Sequence, residues 1–309
     1  MSANNPADLH AMMALLKAVW KLRPPGEPET PSTRLVRRWR EKRLLARLER
    51  GWPGGFTLHR TGDLVYVPHP LDARGRHALL HPPRAHPAAL AALRAGAVAV
   101  DIGANLGEWT VPLARAVGAA GHVLAAEPAP RSAAALEATL AANALRQAEV
   151  VRCAVGDHDG HVEFAVPIVS SARTDTGTAR VGTAGAGWQD VNVALRSLDS
   201  LLAERGLDRL DLVKIDVEGH ERQVLEGAQA TLDRYRPALV METGHEATGD
   251  RVAIHDRLRS LGYQMLGILL DYGMAEADWD AYVLIEPPFC RGAAHNLLLV
   301  PEEVTPTRA

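Results

Sequence analysis

The chain has few of the features that mark an extracellular, membrane or metal-storing protein. Its 309 residues hold two cysteines, Cys153 and Cys290, too few for a disulfide framework or a cysteine metal site. Cys153 reads as a small buried residue within a strand. No apolar run approaches the roughly 20 residues of a membrane span. Met1 to Leu16 has neither a basic leader nor a long apolar core, so no secretory signal is expected, and a cytoplasmic location is. Charge of one sign is not in excess. The net −3 at pH 7 excludes the basic footprint of a general nucleic-acid binder. There is no internal repeat. What remains is ordinary globular composition, 47% hydrophobic and 23% charged, on a chain long enough for one large α/β domain with an appendage.

The most informative stretch is Val98 to Gly107, Val-Ala-Val-Asp-Ile-Gly-Ala-Asn-Leu-Gly. An apolar run over 97–102, broken by Asp101, predicts a buried strand. Gly103 and Gly107 follow, and then a helix-like segment to Val117. A tight turn here needs residues without a Cβ, and the helix start directs N–H groups at whatever lies above the strand. The spacing is D-x-G-x-N-x-G rather than the dinucleotide pattern G-x-G-x-x-G. That difference favours a nucleoside with an amino-acid tail over a pyrophosphate and disfavours a nicotinamide-dependent dehydrogenase.

The N-terminal third is a different kind of sequence. A short helix is expected over 8–21, followed by a stiff linker at Pro24, Pro25, Pro28 and Pro31. Residues 34–50 read as a helix with eight basic and two acidic residues. It is either a docking surface for an acidic partner or lipid headgroups, or a solvated face. Leu35, Trp39, Leu45 and Leu48 supply its packing stripe. A β-hairpin is expected over 56–68, with its turn at 61–63. The domain boundary falls near residue 84, giving an extension over 1–83 and a main domain over 84–309. An N-terminal cap or a dimer contact would fit this layout, so a homo-oligomer is possible.

From there strands and helices alternate, which predicts a mostly parallel sheet with helices on both faces. Strands are expected at 97–102, 122–126, 149–155, 210–217, 238–241, 263–270 and 297–300. Helices are expected from Gly107, over 130–142, 198–205, 221–234 and 252–261, with a short one at 87–95. Residues 158–196 break the rhythm: short strands at 161–166 and 191–195 flank a Gly/Thr/Ser-rich loop, 167–190. That loop is either a lid over a substrate, with Trp188 stacking on a sugar face, or a plain mobile loop.

Acidic groups recur at the expected strand ends: Asp101, Glu127, Asp157, Asp216 and Glu242. A charge there is costly unless solvated or matched by a ligand, and such ends are where open α/β sheets bind ligands. Glu127 is placed to accept from a ribose diol, or to favour a helix start. Asp157 is placed to accept from an adenine amine, or to form a turn before Asp159-Gly160. Asp101 is placed to hold an ammonium group. Together they describe S-adenosylmethionine.

Three blocks then carry a family resemblance: Val100-Asp-Ile-Gly-Ala-Asn-Leu-Gly107; Ala126-Glu-Pro-Ala-Pro130; and Leu198-Asp-Ser-Leu201 leading to Leu212-Val-Lys-Ile-Asp-Val-Glu-Gly-His-Glu221. The chain resembles the FkbM-type S-adenosylmethionine-dependent methyltransferases, within the class I Rossmann-like methyltransferases, from about residue 97 to 243 and more weakly to 300. Ala154-Val-Gly-Asp157 and the segment 237–242 fit as well. The resemblance implies a seven-stranded sheet whose last strand is antiparallel. It also implies O-methylation of a small-molecule or glycosylated hydroxyl acceptor, such as a sugar, glycolipid or natural product. The cofactor contacts it implies are Asp101, Gly103, Asn105, Gly107, Glu127, Asp157 and Asp216, with Asn105 alternatively a simple turn former.

Methyl transfer needs in-line placement and gains from a general base. Candidates are Asp216, Glu218, His220, Glu242 and His245, all just past the fourth and fifth strands. Either His can instead be a cap or surface residue, and Glu218 can pair with Lys214. No dense ligand spacing marks a metal site; a divalent ion on Asp216, Glu242 and a His is the alternative. Other activities fit less well. Base methylation places a Pro-Pro-aromatic motif after the fourth strand, whereas here Glu286-Pro-Pro-Phe289 lies near the end of the chain. A protein methyltransferase and a non-catalytic cofactor-binding scaffold complete the alternatives.

Overall fold

The computed structural model describes residues 39, 43, 56–60, 63–67, 85–170, 173–174, 179–182, 188–243, 248–270, 273–284 and 295–304. In chain order these form β1 (Phe56–Arg60), β2 (Asp63–Val67), α1 (Pro87–Leu90), β3 (Val98–Ile102), α2 (Thr110–Val117), β4 (His122–Ala126), α3 (Pro130–Ala142) and β5 (Ala148–Val151). Next come β6 (Ala154–Val155), β7 (Gly160–Ser170), β8 (Arg173–Thr174), β9 (Arg180–Val181), β10 (Trp188–Arg196), α4 (Leu198–Arg205) and β11 (Leu212–Ile215). The rest is α5 (Glu221–Glu226), α6 (Gln229–Tyr235), β12 (Ala238–Thr243), α7 (Thr248–Ser260), β13 (Tyr263–Leu270), β14 (Gly273–Ala275), α8 (Trp279–Leu284) and β15 (His295–Pro301).

The main sheet has the order β14-β13-β15-β12-β11-β3-β4-β5. The run β12-β11-β3-β4-β5 is parallel throughout. β15 inserts antiparallel between β12 and β13. The Rossmann-like reading holds, but among the described residues the sheet has eight strands rather than seven. The extra edge strand, β14, is three residues long, too short to leave a periodic signal. β3 is buried at every position, as a central parallel strand covered on both faces must be. One apolar core on one face includes Val100, Ile102, Leu124 and Ile215; the other includes Ala99, Leu113, Leu212 and Val240. The chain leaves β3 in one direction for β4 and β5, and later takes the other side with β11. This reversal is the place where open α/β sheets form their crevice.

The expected strand over 149–155 divides. β5 stays in the main sheet, the chain bends at Arg152-Cys153, and β6 joins a second sheet of order β6-β10-β7-β8, with β9 on β7. Cys153 is buried, as expected, but at this bend rather than within a strand. Much of the expected loop 167–190 is strand: β7 runs on to Ser170 and β10 begins at Trp188, paired antiparallel. The expected helix over 221–234 breaks into α5 and α6 at Gly227. A side chain there would drive a β-carbon to 1.9 Å from the Gly156 carbonyl oxygen, so the helix yields to the β6 turn.

The hairpin β1–β2 is present and packs on the main domain. The Tyr66 N–H donates to Thr139 Oγ1 on α3 at 2.9 Å, and Arg115 on α2 pairs with Asp63 at 2.6 Å. In the Arg-rich segment, Trp39 is exposed rather than packed, and the Arg43 guanidinium lies 4.7 Å over its ring. The expected helix over 8–21, the proline linker, His245, Cys290 and the 286–289 segment lie outside the described residues. Among the described residues no helix is long and apolar enough to cross a membrane.

Candidate active site

A cleft of about 760 Å³ opens at the carboxyl ends of β3, β4 and β11 and is roofed by the second sheet. Phe164, Ala179 and Val181 line it from that sheet, and Cys153, Ala154 and Val155 from the bend below it. Opposite lie Glu108, Trp109, Asp216, Val217, Glu218 and His220, with Gly103, Asn105 and Glu127 between. Of the described lining residues five are carboxylates, Asp101, Glu108, Glu127, Asp216 and Glu218, and none is a lysine or arginine. One wall is therefore apolar and the other acidic.

The glycine turn is built by local bonding. The N–H groups of Gly103 and Ala104 both donate to the Ala126 carbonyl at 3.0 Å, which ties the turn to β4. Glu127, at the end of β4, is buried and accepts from the backbone N–H groups of Asn105 and Ala129, each at 2.8 Å. Its carboxylate thus braces two loops and also lines the cleft. Asn105 has φ +45°, so it shapes the turn as well as lining the cleft. Gly107 stands back from the cleft. A β-carbon there would meet Leu136 Cδ1 at 2.6 Å, so it serves the packing of α3 beneath the turn.

The acidic wall is organised around Lys214. Asp101 on β3 and Lys214 on β11 are register partners, and both are buried, at 2% and 1% exposure. Lys214 Nζ lies 3.2 Å from Asp216 Oδ2, donates to the Ile215 carbonyl at 3.1 Å, and sits 5.7 Å from the centre of the Trp109 ring. Burial pushes the Asp101 carboxyl up to about 6, although the Thr110 hydroxyl donates to it at 2.5 Å and Lys214 stands nearby. Burial also holds the Glu242 carboxyl well above the usual carboxylate range. The charge of Asp216, a hydrogen bond with it and the charge of Glu218 add to this, against Lys214. Oxygens of Asp216, Glu218 and Glu242 lie within 4.8 Å of one another, close enough to share one proton or one divalent cation.

His220 lines the cleft beside this cluster; its Nε2 is buried and makes no hydrogen bond among the described residues. Burial holds its pKa below the usual histidine value, against the charges of Asp157, Glu226 and Asp250. Asp157 is not among the residues that line the cleft, although its charge acts on His220, which is. Because the chain leaves the main sheet after β5, Asp157 follows β6, is exposed, and pairs with His158 Nδ1 at 2.8 Å. Trp188 is in register with Pro167, one step out of phase with the cleft-facing Phe164, and the Arg180 guanidinium stacks 4.9 Å from its ring. It therefore lies on the face of the second sheet opposite to Phe164. Sequence reasoning missed Glu108, Trp109, Thr110, Phe164, Ala179 and Val181. The last three belong to a sheet with no repeating signal; Trp109 and Thr110 directly follow the glycine block and were within reach of it.

The chain is similar to several known proteins. Among solved structures, the chain is similar to methyltransferase FkbM from Methylobacillus flagellatus, with 18% identity and a TM-score of 0.42. The match covers 66% of this chain but only 44% of that one, so the chain spans less than half of that relative's length. It is also similar to M. jannaschii TYW2 in complex with AdoMet, with 12% identity, a TM-score of 0.40, and coverage of 80% of this chain and 85% of that one. By sequence, it is 30% identical to Methyltransferase sdnD of Sordaria araneosa, over 54% of this chain and 73% of that protein. The family described as Methyltransferase FkbM domain matches residues 101–265, more than half the chain, from the buried acid of β3 to the start of β13. By that match and by the relative, the chain belongs to the FkbM family of methyltransferases.

Proposed function

We propose that the protein transfers a methyl group from S-adenosylmethionine to a hydroxyl of a sugar, glycolipid or natural-product acceptor. The observation that carries this reading is the polarity of the cleft. Its acidic wall meets an apolar wall with Glu127 between them, and no described lining residue is a lysine or arginine. S-adenosylmethionine fits that donor set: a purine for the apolar side, a ribose diol for Glu127, and ammonium and sulfonium cations for the acidic side. When bound, it supplies an electrophilic methyl group on a cationic sulfur.

The chain's own residues would divide the work as follows. Gly103 and Asn105 shape the floor, and Asp101 supplies a buried negative charge. The acceptor oxygen must lose its proton as the carbon–oxygen bond forms. Asp216 and Glu218 are carboxylates at that end, and His220, kept neutral by burial, can also take a proton. Glu242, held protonated, serves better as a hydrogen-bond donor than as the base. A divalent cation on Asp216, Glu218 and Glu242 is the second reading, favoured by the closeness of their oxygens.

Calorimetric titration with S-adenosylmethionine and S-adenosylhomocysteine, with and without magnesium, tests the core of this. Micromolar binding of both supports it, and no binding to folded protein overturns it. A magnesium-dependent affinity supports the cation. Incubation with methyl-labelled cofactor and hydroxylated acceptors, read by mass spectrometry, tests the bond formed: label on oxygen supports O-methylation, and label on nitrogen or carbon overturns it.

A further inference from the structure

The third block of the family resemblance, which closes at Glu221, ends in a buried acid for which the reaction above has no use. Glu221 opens α5 and is 1% exposed. A carboxylate that deep persists only where donors meet it. The backbone N–H of Gly219 donates to its Oε1 at 3.1 Å. That N–H belongs to the peptide joining Glu218 to Gly219, and the residues on its two sides both have positive φ, +55° and +100°. Glycine adopts this region freely; glutamate does so only where its surroundings hold it. Two left-handed residues in succession turn the chain sharply between β11 and α5. The same turn carries the Glu218 carboxylate to within 4.8 Å of Asp216 and Glu242.

We propose that Glu221 is a positioning residue: by accepting from the Gly219 N–H it holds the Glu218–Gly219 peptide in the orientation that keeps the Glu218 carboxylate at the reacting end of the cleft. This rests on the reading that Glu218 works at that end. A carboxylate in the first turn of α5 also faces the positive end of the helix. The two roles separate, because glutamine keeps the accepting oxygen and drops the charge.

The test is NMR spectroscopy of the full chain, following hydrogen exchange of the Gly219 amide and the Cα shift of Glu218. In Glu221→Gln both signals stay as in the wild type. In Glu221→Ala the Gly219 amide exchanges about tenfold faster or more, and the Glu218 shift leaves the left-handed range. A Glu221→Ala protein that keeps both signals overturns the proposal, as does a Glu221→Gln protein that loses them. Should Glu221→Ala melt too early for such spectra, melting temperatures decide. Adding Glu221→Ala to a Glu218→Gly protein then costs more than adding it to the wild type, because a released Glu218 recovers its backbone strain and glycine has none to recover; equal losses overturn the proposal. The underlying reading fails separately, and visibly, if Glu218→Gln leaves methyl transfer intact while the Gly219 amide still depends on Glu221.

Discussion

A β-carbon on Gly103 would stand 1.8 Å from the carbonyl oxygen of Asp216. The glycine turn after β3 and the loop after β11 are thus pressed together, backbone on backbone, at the point where the sheet reverses direction. The Asp216 N–H donates to the Ile102 carbonyl at 3.0 Å and fixes that approach. Gly103 has φ +81°, so a larger residue would meet both backbone strain and a clash.

Gly103→Ala is therefore expected to cost several kcal/mol of stability, at the large end of single substitutions. It should also abolish cofactor binding, because the loops can only move apart. Thermal melting and calorimetric titration check this. A variant that melts and binds like the wild type would show that the contact gives way easily.

Glu127→Ala removes the acceptor for two backbone N–H groups as well as a cleft carboxylate. Each lost bond to a charged acceptor is worth about 1.5–3 kcal/mol at most. The dissociation constant for S-adenosylmethionine should rise by at least about tenfold, since 1.4 kcal/mol is one decade. Glu127→Gln keeps one oxygen and should fall between. An unchanged constant in both variants rejects the ribose and brace roles together.

Asp101 predicts a pH effect with a definite sign. Its folded value of about 6 lies above the 3.8 of an ordinary aspartate. The group therefore favours the folded state most fully below pH 4, and that contribution is lost as pH rises through 6. Asp101→Asn cannot ionise, so its melting temperature relative to the wild type should climb between pH 4 and 6 and level off above. In the wild type, affinity for the cationic cofactor should weaken as pH falls through 6 and the carboxylate is protonated. Melting and calorimetry across that range check both. A flat difference means that Asp101 does not titrate there.

Lys214 is the buried cation among Asp101, Asp216 and Glu242. Removing one partner of a buried ion pair leaves charge uncompensated, at a typical cost of about 3–5 kcal/mol. Lys214→Met should show a loss of that order by denaturant unfolding. Adding Asp101→Asn should recover part of it, because one of the carboxylates facing the gap is then neutral. Strict additivity of the two substitutions would show that Lys214 does not offset Asp101.

Much of this was legible in the chain. The run of buried residues around Asp101, the glycines after it and the acids after β4 and β11 gave the crevice and most of its polar wall. Their signals are local: a strand end, a turn and a helix start lie within a few residues of one another. The setting of Asp157 has a tertiary cause. The segment 149–155 has one continuous apolar pattern, and nothing in it announces that Arg152 and Cys153 bend the chain into another sheet. The face taken by Trp188 has a related cause. A strand's inner and outer faces differ by one residue of register, which a Gly-rich neighbourhood does not fix. Lys214 was visible in its motif, but its place beside Asp101 required the β3–β11 pairing.

The sequence by itself determined the parallel α/β core, the glycine turn and the family, because strand periodicity, turn chemistry and helix starts are short-range properties of a chain. The tertiary structure alone decided which acids converge. Asp101, Lys214, Asp216, Glu218 and Glu242 come from three strands and one loop, and their mutual burial shifts the protonation of Asp101 and Glu242. It also decided that Phe164, Ala179 and Val181 roof the cleft. Both outcomes depend on strand order and register, which arise from the packing of segments distant in the chain rather than from any one of them.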